Sequence, residues 1–486
     1  MTSTDGLGAA ASRGAKYTML GQIGRILVQL VSVVLLSRLL DPSDFGLFAM
    51  VIAVIGVGEV FRDFGLTQAA VQARTLSREQ QSNLFWLNTG IGLALSVVAF
   101  LASWPIAALY DDPRLILLTQ AVSIVFLVNG LGTQYRAQLT RELRFFSLAA
   151  IELVAQVIAL GAAVIVAIGG GSYWALAVQQ VAAALLALVL LLIVTRWLPG
   201  RFYRGVGTMA FLRFGGFLAV AQVITYASKN VDSVIIGARL GATDLGLYNR
   251  AFQILVLPLN QINAPATRVA LPVLARLQDE RARFEKYLLT AQSILLQPVA
   301  AGFALGAALA EPLIRIVLGE GWSGAVPIFQ ILAISGIFQA AAYASYWVFL
   351  AHGLTKSQLY WALVSRPFII LGVVIGSFWG LEGVAWGYTV STALVWPAGL
   401  LWIRAAAKAP ALAMFLNGLR ATIAYGAAGG AAAAVYRVLA DSELWIQLVV
   451  STTAFAAVVA IAALVWPRFR ADLSLVMHLR GARRKF

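Results

Sequence analysis

The sequence predicts an all-α polytopic integral membrane protein of about fourteen transmembrane helices. Hydrophobic residues make up 60% of the 486 residues and charged residues only 12%, and the mean hydropathy is +0.84. A soluble domain carries about 25% charged residues. Apolar runs of roughly 20 residues, the length that crosses a bilayer, recur along the whole chain. The connections between them are too short to hold a soluble domain.

The apolar runs define the predicted spans. The first run is too long for a signal-peptide core and lacks a convincing cleavage site, so we interpret it as a retained span. The fourteen runs are 17–40, 45–69, 84–109, 115–135, 146–168, 173–195, 212–237, 245–273, 287–316, 325–350, 358–378, 381–403, 412–436 and 444–466.

An internal repeat organises these spans. The turn and span opening at Asp41–Phe48 return two hundred residues later, and the matching pairs are Asp44 and Asp244, Gly46 and Gly246, and Leu47 and Leu247. Such an echo is typical of membrane proteins built from two related halves. We therefore predict two pseudo-symmetric six-helix lobes plus two C-terminal helices. The predicted boundaries are 1–200 for spans 1–6, 201–408 for spans 7–12, 409–466 for spans 13 and 14, and 467–486 for a basic cytoplasmic tail.

Charge placement predicts the orientation. The formal net charge is +15. With the N-terminus inside, 25 of the 36 lysines and arginines fall on the inner side and five on the outer side. Basic residues accumulate in cytoplasmic loops, so both termini are expected in the cytoplasm. The charge is then explained by topology and by attraction to anionic membrane lipids, and no nucleic acid partner is expected.

Polar residues inside two equivalent spans predict a central cavity. In span 1, Gln22, Arg25 and Gln29 share one helical face. In span 7, Tyr226 and Asn230 form a comparable stripe. Polar groups within spans generally face a bundle interior or a water-filled cavity. We therefore expect both stripes to line a shared cavity between the lobes.

Cations within spans are the candidate substrate ligands. Arg25, Arg250 and Arg366 have no acidic residue three or four positions away. They are the best candidates to bind an anion, because a guanidinium suits phosphate oxygens bidentately. Arg62 and Lys229 are further candidates.

Acidic residues within spans have two interpretations. Glu59 lies three residues from Arg62, and Asp232 three from Lys229, so these four charges can neutralise each other locally. Alternatively, Glu59, Asp63 and Asp232 are candidates for coupling transport to a proton or sodium gradient. The chain has no cysteine and two histidines, so we expect no metal site and no cofactor.

The chain resembles the multidrug/oligosaccharidyl-lipid/polysaccharide flippase superfamily, and within it the bacterial polysaccharide transporters of the O-antigen flippase type. The residues that carry the resemblance are SRLLDPSDFGLFAM (37–50), FRDFGLTQAAVQ (61–72), YRAQLTRELRFFSLAAIEL (135–153) and GARLGATDLGLYNRAFQI (237–254). It implies two six-helix bundles around a V-shaped cavity. Arginines in the first, second and eighth spans line that cavity in related flippases, and Arg25, Arg62 and Arg250 occupy those spans here. Spans 13 and 14 would form a groove for a polyprenyl tail.

The function implied is that of a transporter and not an enzyme. It would flip undecaprenyl-pyrophosphate-linked oligosaccharide repeat units across the bacterial inner membrane by alternating access, for export of surface polysaccharide or exopolysaccharide. The partners implied are the lipid-linked oligosaccharide, membrane lipids, and the polysaccharide polymerase with other assembly proteins.

Two alternatives remain open. A drug or cation antiporter of the same superfamily would favour an acidic cavity, whereas the predicted cavity is richer in arginine. A membrane-embedded polysaccharide polymerase or glycosyltransferase usually needs a large catalytic loop, and no connection in this sequence is long enough. Lipid II is a further candidate cargo that the residues do not distinguish.

Overall fold

The computed structural model describes residues 4–58, 77–203, 226 and 230–478. Every regular element in these ranges is helical. The helices are α1 (Thr4–Leu39), α2 (Pro42–Ile55), α3 (Arg78–Tyr110), α4 (Arg114–Arg141), α5 (Phe145–Ile168), α6 (Trp174–Thr195), α7 (Ala242–Arg276), α8 (Arg281–Ala308), α9 (Ala310–Val317), α10 (Ala325–Ala351), α11 (Thr355–Gly376), α12 (Gly380–Ala407), α13 (Ala411–Val438), α14 (Leu444–Val465) and α15 (Pro467–His478). Residues 230–240 are helical as well.

Nine segments in the described part of the chain are long and apolar enough to cross a membrane. One of them, Thr355–Ala407, contains both α11 and α12, separated by a short 3-10 turn. The nine are Met19–Leu39, Arg78–Tyr110, Arg114–Arg141, Phe145–Ile168, Trp174–Thr195, Arg281–Ala308, Ala325–Ala351, Thr355–Ala407 and Leu444–Val465. The protein is therefore a multi-pass membrane protein, as the hydropathy predicts.

The predicted run at 287–316 is divided in the structure. Helix α8 ends at Ala308 and the short helix α9 begins at Ala310, with Leu309 between them in a non-helical conformation. The apolar run continues through the break, so hydropathy alone gives no sign of it. This predicted span is therefore one long helix followed by a short one.

The chain forms two compact units, residues 1–246 and 247–486. In the first unit, α3 packs along α4, α5 along α6, and α1 along α5. In the second unit, α11 packs along α12, α10 along both α8 and α12, and α13 along both α8 and α14. The predicted boundary near residue 200 was drawn from the basic linker, and its description as a domain boundary stays a prediction.

The basic linker continues the first unit along the start of α3. Asn83 is buried and makes two hydrogen bonds with Tyr203, its amide donating to the Tyr203 carbonyl at 2.8 Å and its oxygen accepting from the Tyr203 N–H at 2.7 Å. The Trp86 indole donates to the Gly200 carbonyl at 2.8 Å. Trp197 lies edge-on to Phe85. These contacts satisfy linker backbone groups that have no helical partner.

The repeated turn produces a reciprocal close contact. Helix α2 begins at Pro42 and α7 at Ala242, again two hundred residues apart. A Cβ atom on Gly46 would lie 1.7 Å from the Ala242 carbonyl oxygen, and one on Gly246 would lie 1.9 Å from the Pro42 carbonyl oxygen. Only glycine permits such an approach between two helix backbones. The two copies of the repeated sequence therefore occupy equivalent packing positions.

Asp44 anchors the start of α2. Its carboxylate accepts the Asp41 backbone N–H at 3.1 Å, completing a capping box. The hydroxyl of Ser172, in the turn between α5 and α6, donates to the other carboxylate oxygen. The glycine-rich stretch at 169–172 is thus a connecting turn held by Asp44.

Candidate functional site

The predicted polar face of α1 is present and accessible in the first unit. Gln22 and Gln29 are exposed, and the Arg25 side chain is 38% exposed. Towards α5 the helix presents glycines: a Cβ on Gly21 would lie 2.7 Å from the Ala149 side chain. The glycine face packs closely against α5, and the polar stripe remains open.

Arg25 has an acidic partner on another helix. Its Nη1 donates to Glu152 Oε2 on α5 at 2.7 Å, and its Nη2 donates to Gln22 Oε1 at 2.5 Å. The Glu152 side chain is 26% exposed. Helical spacing from Arg25 reveals no partner because Glu152 lies 127 residues away. Two of the five guanidinium N–H groups are used here, so donors remain for another ligand.

Tyr226 and Asn230 take part in helix packing. The Tyr226 hydroxyl donates to the Ile52 carbonyl on α2 at 2.7 Å, and the Asn230 amide donates to the Tyr226 carbonyl at 2.9 Å. A Cβ on Gly56 would lie 1.9 Å from the Tyr226 hydroxyl. The tyrosine ring also borders a small cavity of about 120 Å³ with Gln180. Tyr226, from the predicted polar stripe of span 7, thus bonds to the backbone near the end of α2.

Three acidic residues were predicted to couple an ion gradient. Asp232 is half-buried, and its Oδ1 accepts the Ser233 N–H at 2.9 Å. Glu59 and Asp63 lie outside the described residues, as do the predicted cations Arg62 and Lys229. Within the described ranges, no three acidic or histidine side chains lie close enough to hold a metal ion.

Arg250 and Arg366 lie in the second unit, on α7 and α11. Arg250 is partly buried, and its Nη1 donates to Gln253 Oε1 one turn further along α7. Arg366 is exposed and forms no hydrogen bond or ion pair with any residue that the structure describes. The role of both residues as substrate ligands stays a prediction.

An apolar groove in the second unit was not predicted at these helices. It has a volume of about 400 Å³ and lies between α8, α10 and α13. Gly426 and Gly430 line it, and a Cβ at either position would meet nothing within 4 Å. Gly429 also lines the groove but lies against the Ala304 backbone of α8, where a Cβ would lie 2.9 Å from the carbonyl oxygen.

Three polar side chains, Gln330, Thr422 and Arg437, border this apolar groove. Gln330 donates to the Ala307 carbonyl at 3.3 Å, and Arg437 stands in the last turn of α13. The alanine- and glycine-rich run of α13 predicts close packing to a neighbour. Within that run, Gly429 packs closely against α8, whereas Gly426 and Gly430 line open space in the groove.

Comparison with solved structures identifies the fold. A structure of the lipid II flippase MurJ in an inward closed conformation is 15% identical, with a TM-score of 0.67 over 93% of this chain and 99% of that chain. The inward-facing structure of a multidrug resistance MATE family transporter of the MOP superfamily is also 15% identical. It gives a TM-score of 0.63 over 79% of this chain and 94% of that chain. The predicted fold class is confirmed.

Several curated relatives are named for the biosynthesis or transport of polysaccharides. The teichuronic acid biosynthesis protein TuaB of Bacillus subtilis is 29% identical over 78% of this chain and 79% of its own length. The lipopolysaccharide biosynthesis protein WzxC of Escherichia coli is 27% identical over 77% of each chain. The succinoglycan biosynthesis transport protein ExoT of Rhizobium meliloti is 24% identical over 77% of this chain and 76% of its own.

These comparisons confirm the predicted resemblance and the prediction of a transporter rather than an enzyme. The profile of the family described as polysaccharide biosynthesis protein matches residues 35–327. This match covers more than half of the sequence and includes the repeated turn in both of its copies. The chain belongs to the polysaccharide biosynthesis protein family.

Proposed function

We propose that this protein flips undecaprenyl-pyrophosphate-linked oligosaccharide repeat units across the bacterial inner membrane by alternating access. The exported product would be a surface polysaccharide or exopolysaccharide. Support comes from the family match and from relatives named for lipopolysaccharide and succinoglycan biosynthesis. A pyrophosphate with several sugars cannot cross about 30 Å of hydrocarbon unaided.

The observation that carries this proposal is the open polar face of α1. Gln22, Arg25 and Gln29 are accessible within an otherwise apolar span. A polar stripe facing hydrocarbon would be costly, so we infer that it faces a water-filled path. Arg25 would bind the pyrophosphate with the guanidinium donors that Glu152 and Gln22 leave unused.

The polyprenyl tail would remain in an apolar environment during transfer. The groove between α8, α10 and α13 supports this step, since its open stripe at Gly426 and Gly430 provides space beside alanine side chains. A chain of isoprene units would bury apolar surface there without needing hydrogen bonds. Helix α13 would supply one wall of the tail site.

Energy would come from coupling to a proton or sodium gradient. Among the described acidic candidates, Asp232 is half-buried next to helical backbone and is our choice for the coupling group. Both termini would lie in the cytoplasm, as the distribution of arginine and lysine supports. Wild-type transport that is unchanged after the proton and sodium gradients are collapsed would remove the coupling step.

Complementation of a strain lacking its polysaccharide flippase tests the proposal. Wild type is compared with Arg25→Ala, Arg250→Ala and Arg366→Ala at matched membrane levels, and Arg404→Ala at the exposed end of α12 serves as the control. Wild type and the control are expected to restore surface polysaccharide, and the Arg25, Arg250 and Arg366 variants to fail. Export of cationic dyes without polysaccharide would favour an antiporter. A change in polymer length alone would favour a polymerase.

A further inference from the structure

The second unit contains a charged cavity. It has a volume of about 370 Å³ and is formed by α8, α13 and the C-terminal helix α15. Its ionisable lining residues are Lys286, Arg420, Arg468 and Asp472, which together carry a net charge of +2. This cavity belongs wholly to the second unit. The proposed transport mechanism does not use it.

One wall of the cavity is a satisfied polar network. Arg420 donates from Nε and Nη2 to Asp472 Oδ2 at 3.1 and 2.9 Å, and from Nη2 to Asn417 Oδ1 at 2.8 Å. The Asn417 amide in turn donates to Ser293 Oγ at 2.8 Å. The Arg420 and Asp472 side chains are only 16% and 13% exposed. Their mutual pairing neutralises this wall and fixes its shape.

Two cations of the cavity remain available. Lys286 on α8 and Arg468 at the start of α15 are exposed, and neither forms an ion pair with any described residue. Leu289, Leu416 and Leu475 supply the apolar part of the lining. The cavity thus joins two free positive charges to an apolar wall. That combination suits a phosphate group carried on a hydrocarbon chain.

Helix α15 is docked firmly enough to form such a site. Phe469 is fully buried and lies edge-on to Tyr425 of α13, with ring centroids 5.6 Å apart. Asp472, one turn further on, makes the ion pair with Arg420. Helix α15 starts two residues after the apolar span α14 ends at Val465. The cavity therefore lies where a bilayer surface would place lipid headgroups.

We propose that this cavity binds the phosphate headgroup of an anionic phospholipid and thereby fixes α15 to the membrane surface. Lys286 and Arg468 contact the phosphate, and the leucine wall contacts the upper acyl chain. A free phosphate ion would leave the leucines without a partner. The proposal does not depend on the identity of the transported cargo.

Binding to the purified full-length protein tests this site. Native mass spectrometry and thermal unfolding in mixed micelles compare phosphatidylglycerol, phosphatidylcholine, inorganic phosphate and undecaprenyl pyrophosphate as probes. The test variant is Lys286→Gln with Arg468→Gln. The matched control is Arg404→Gln with Arg470→Gln, which removes the same charge, with Arg470 on the same helix outside the cavity.

Phosphatidylglycerol is expected to bind wild type and the control, and to bind the test variant about tenfold to thirtyfold more weakly. Equal phosphatidylglycerol binding by both variants would overturn the proposal. If inorganic phosphate raised the unfolding temperature as much as phosphatidylglycerol does, that result would also overturn the proposal. Selective loss of undecaprenyl pyrophosphate binding would assign the cavity to cargo instead. Unfolding temperatures without added lipid identify any variant that fails to fold.

Discussion

The Arg25 guanidinium donates to the Glu152 carboxylate at 2.7 Å, joining α1 to α5 within the apolar part of the first unit. Removing either partner leaves a charge without its counter-charge among apolar side chains. Because both groups are partly exposed, we expect a modest loss of about 0.5–2 kcal/mol in the free energy of unfolding for Glu152→Ala.

A charge exchange separates packing from transport at this pair. Arg25→Glu combined with Glu152→Arg keeps an ion pair between the helices, so we expect wild-type amounts of folded protein in the membrane. This double variant is expected to lack transport, because the guanidinium then projects from α5 and no longer from the polar face of α1. Surface polysaccharide and membrane abundance are measured together. Restored transport would mean that the pair serves packing alone.

The close contacts at Gly46 and Gly246 predict that a larger residue at either position destabilises the fold. Gly46→Ala and Gly246→Ala would each place a methyl group less than 2 Å from a carbonyl oxygen of the opposing helix. Backbone atoms cannot move aside cheaply, so we expect each change to cost about 1–3 kcal/mol or more. Gly161→Ala on α5 is the control, since its methyl group would meet nothing within 4 Å. Unfolding temperatures in detergent check the difference.

The spans and the repeat could be predicted from sequence because both are local properties. Insertion of a span into the bilayer depends on the mean hydropathy of about 20 consecutive residues. The predicted run at 146–168 accordingly coincides with α5 to within a residue. The start of α7 at Ala242 was likewise marked by a turn that matches Pro42. The division between α8 and α9 at Leu309 was not marked, because both sides are apolar.

The site was harder to predict because its contacts join distant segments. Helical spacing places Arg25 and Gln22 on one face, which the structure bears out. It cannot reveal Glu152 on α5, nor that Tyr226 bonds to the Ile52 carbonyl on α2. Sequence gives the face of a helix, whereas the partner depends on which helices pack together.

The amide pair between Asn83 and Tyr203 predicts how the linker is held. Asn83→Ala removes both hydrogen bonds and leaves two Tyr203 backbone groups without that partner. We expect faster amide hydrogen exchange across residues 197–203, by roughly tenfold, for a loss of about 1–2 kcal/mol. Trp86→Phe loses only the bond to the Gly200 carbonyl and is expected to have a smaller effect. If Asn83→Ala left the exchange rates unchanged, the aromatic contacts of Trp197 would be sufficient to hold the linker against α3.

The groove beside α13 predicts a transport defect without a folding defect. Gly430→Leu would project a side chain into open space in the groove, where its Cβ has no neighbour within 4 Å. We therefore expect wild-type unfolding temperature and a loss of polysaccharide export of at least tenfold, since the leucine would occupy the proposed tail path. Gly161→Leu is the matched control, because it also enters open space on a helix but lies outside the groove. Export that is normal in both variants would exclude the groove as the tail site. Export lost in both would point to a general effect of added bulk at lipid-facing positions.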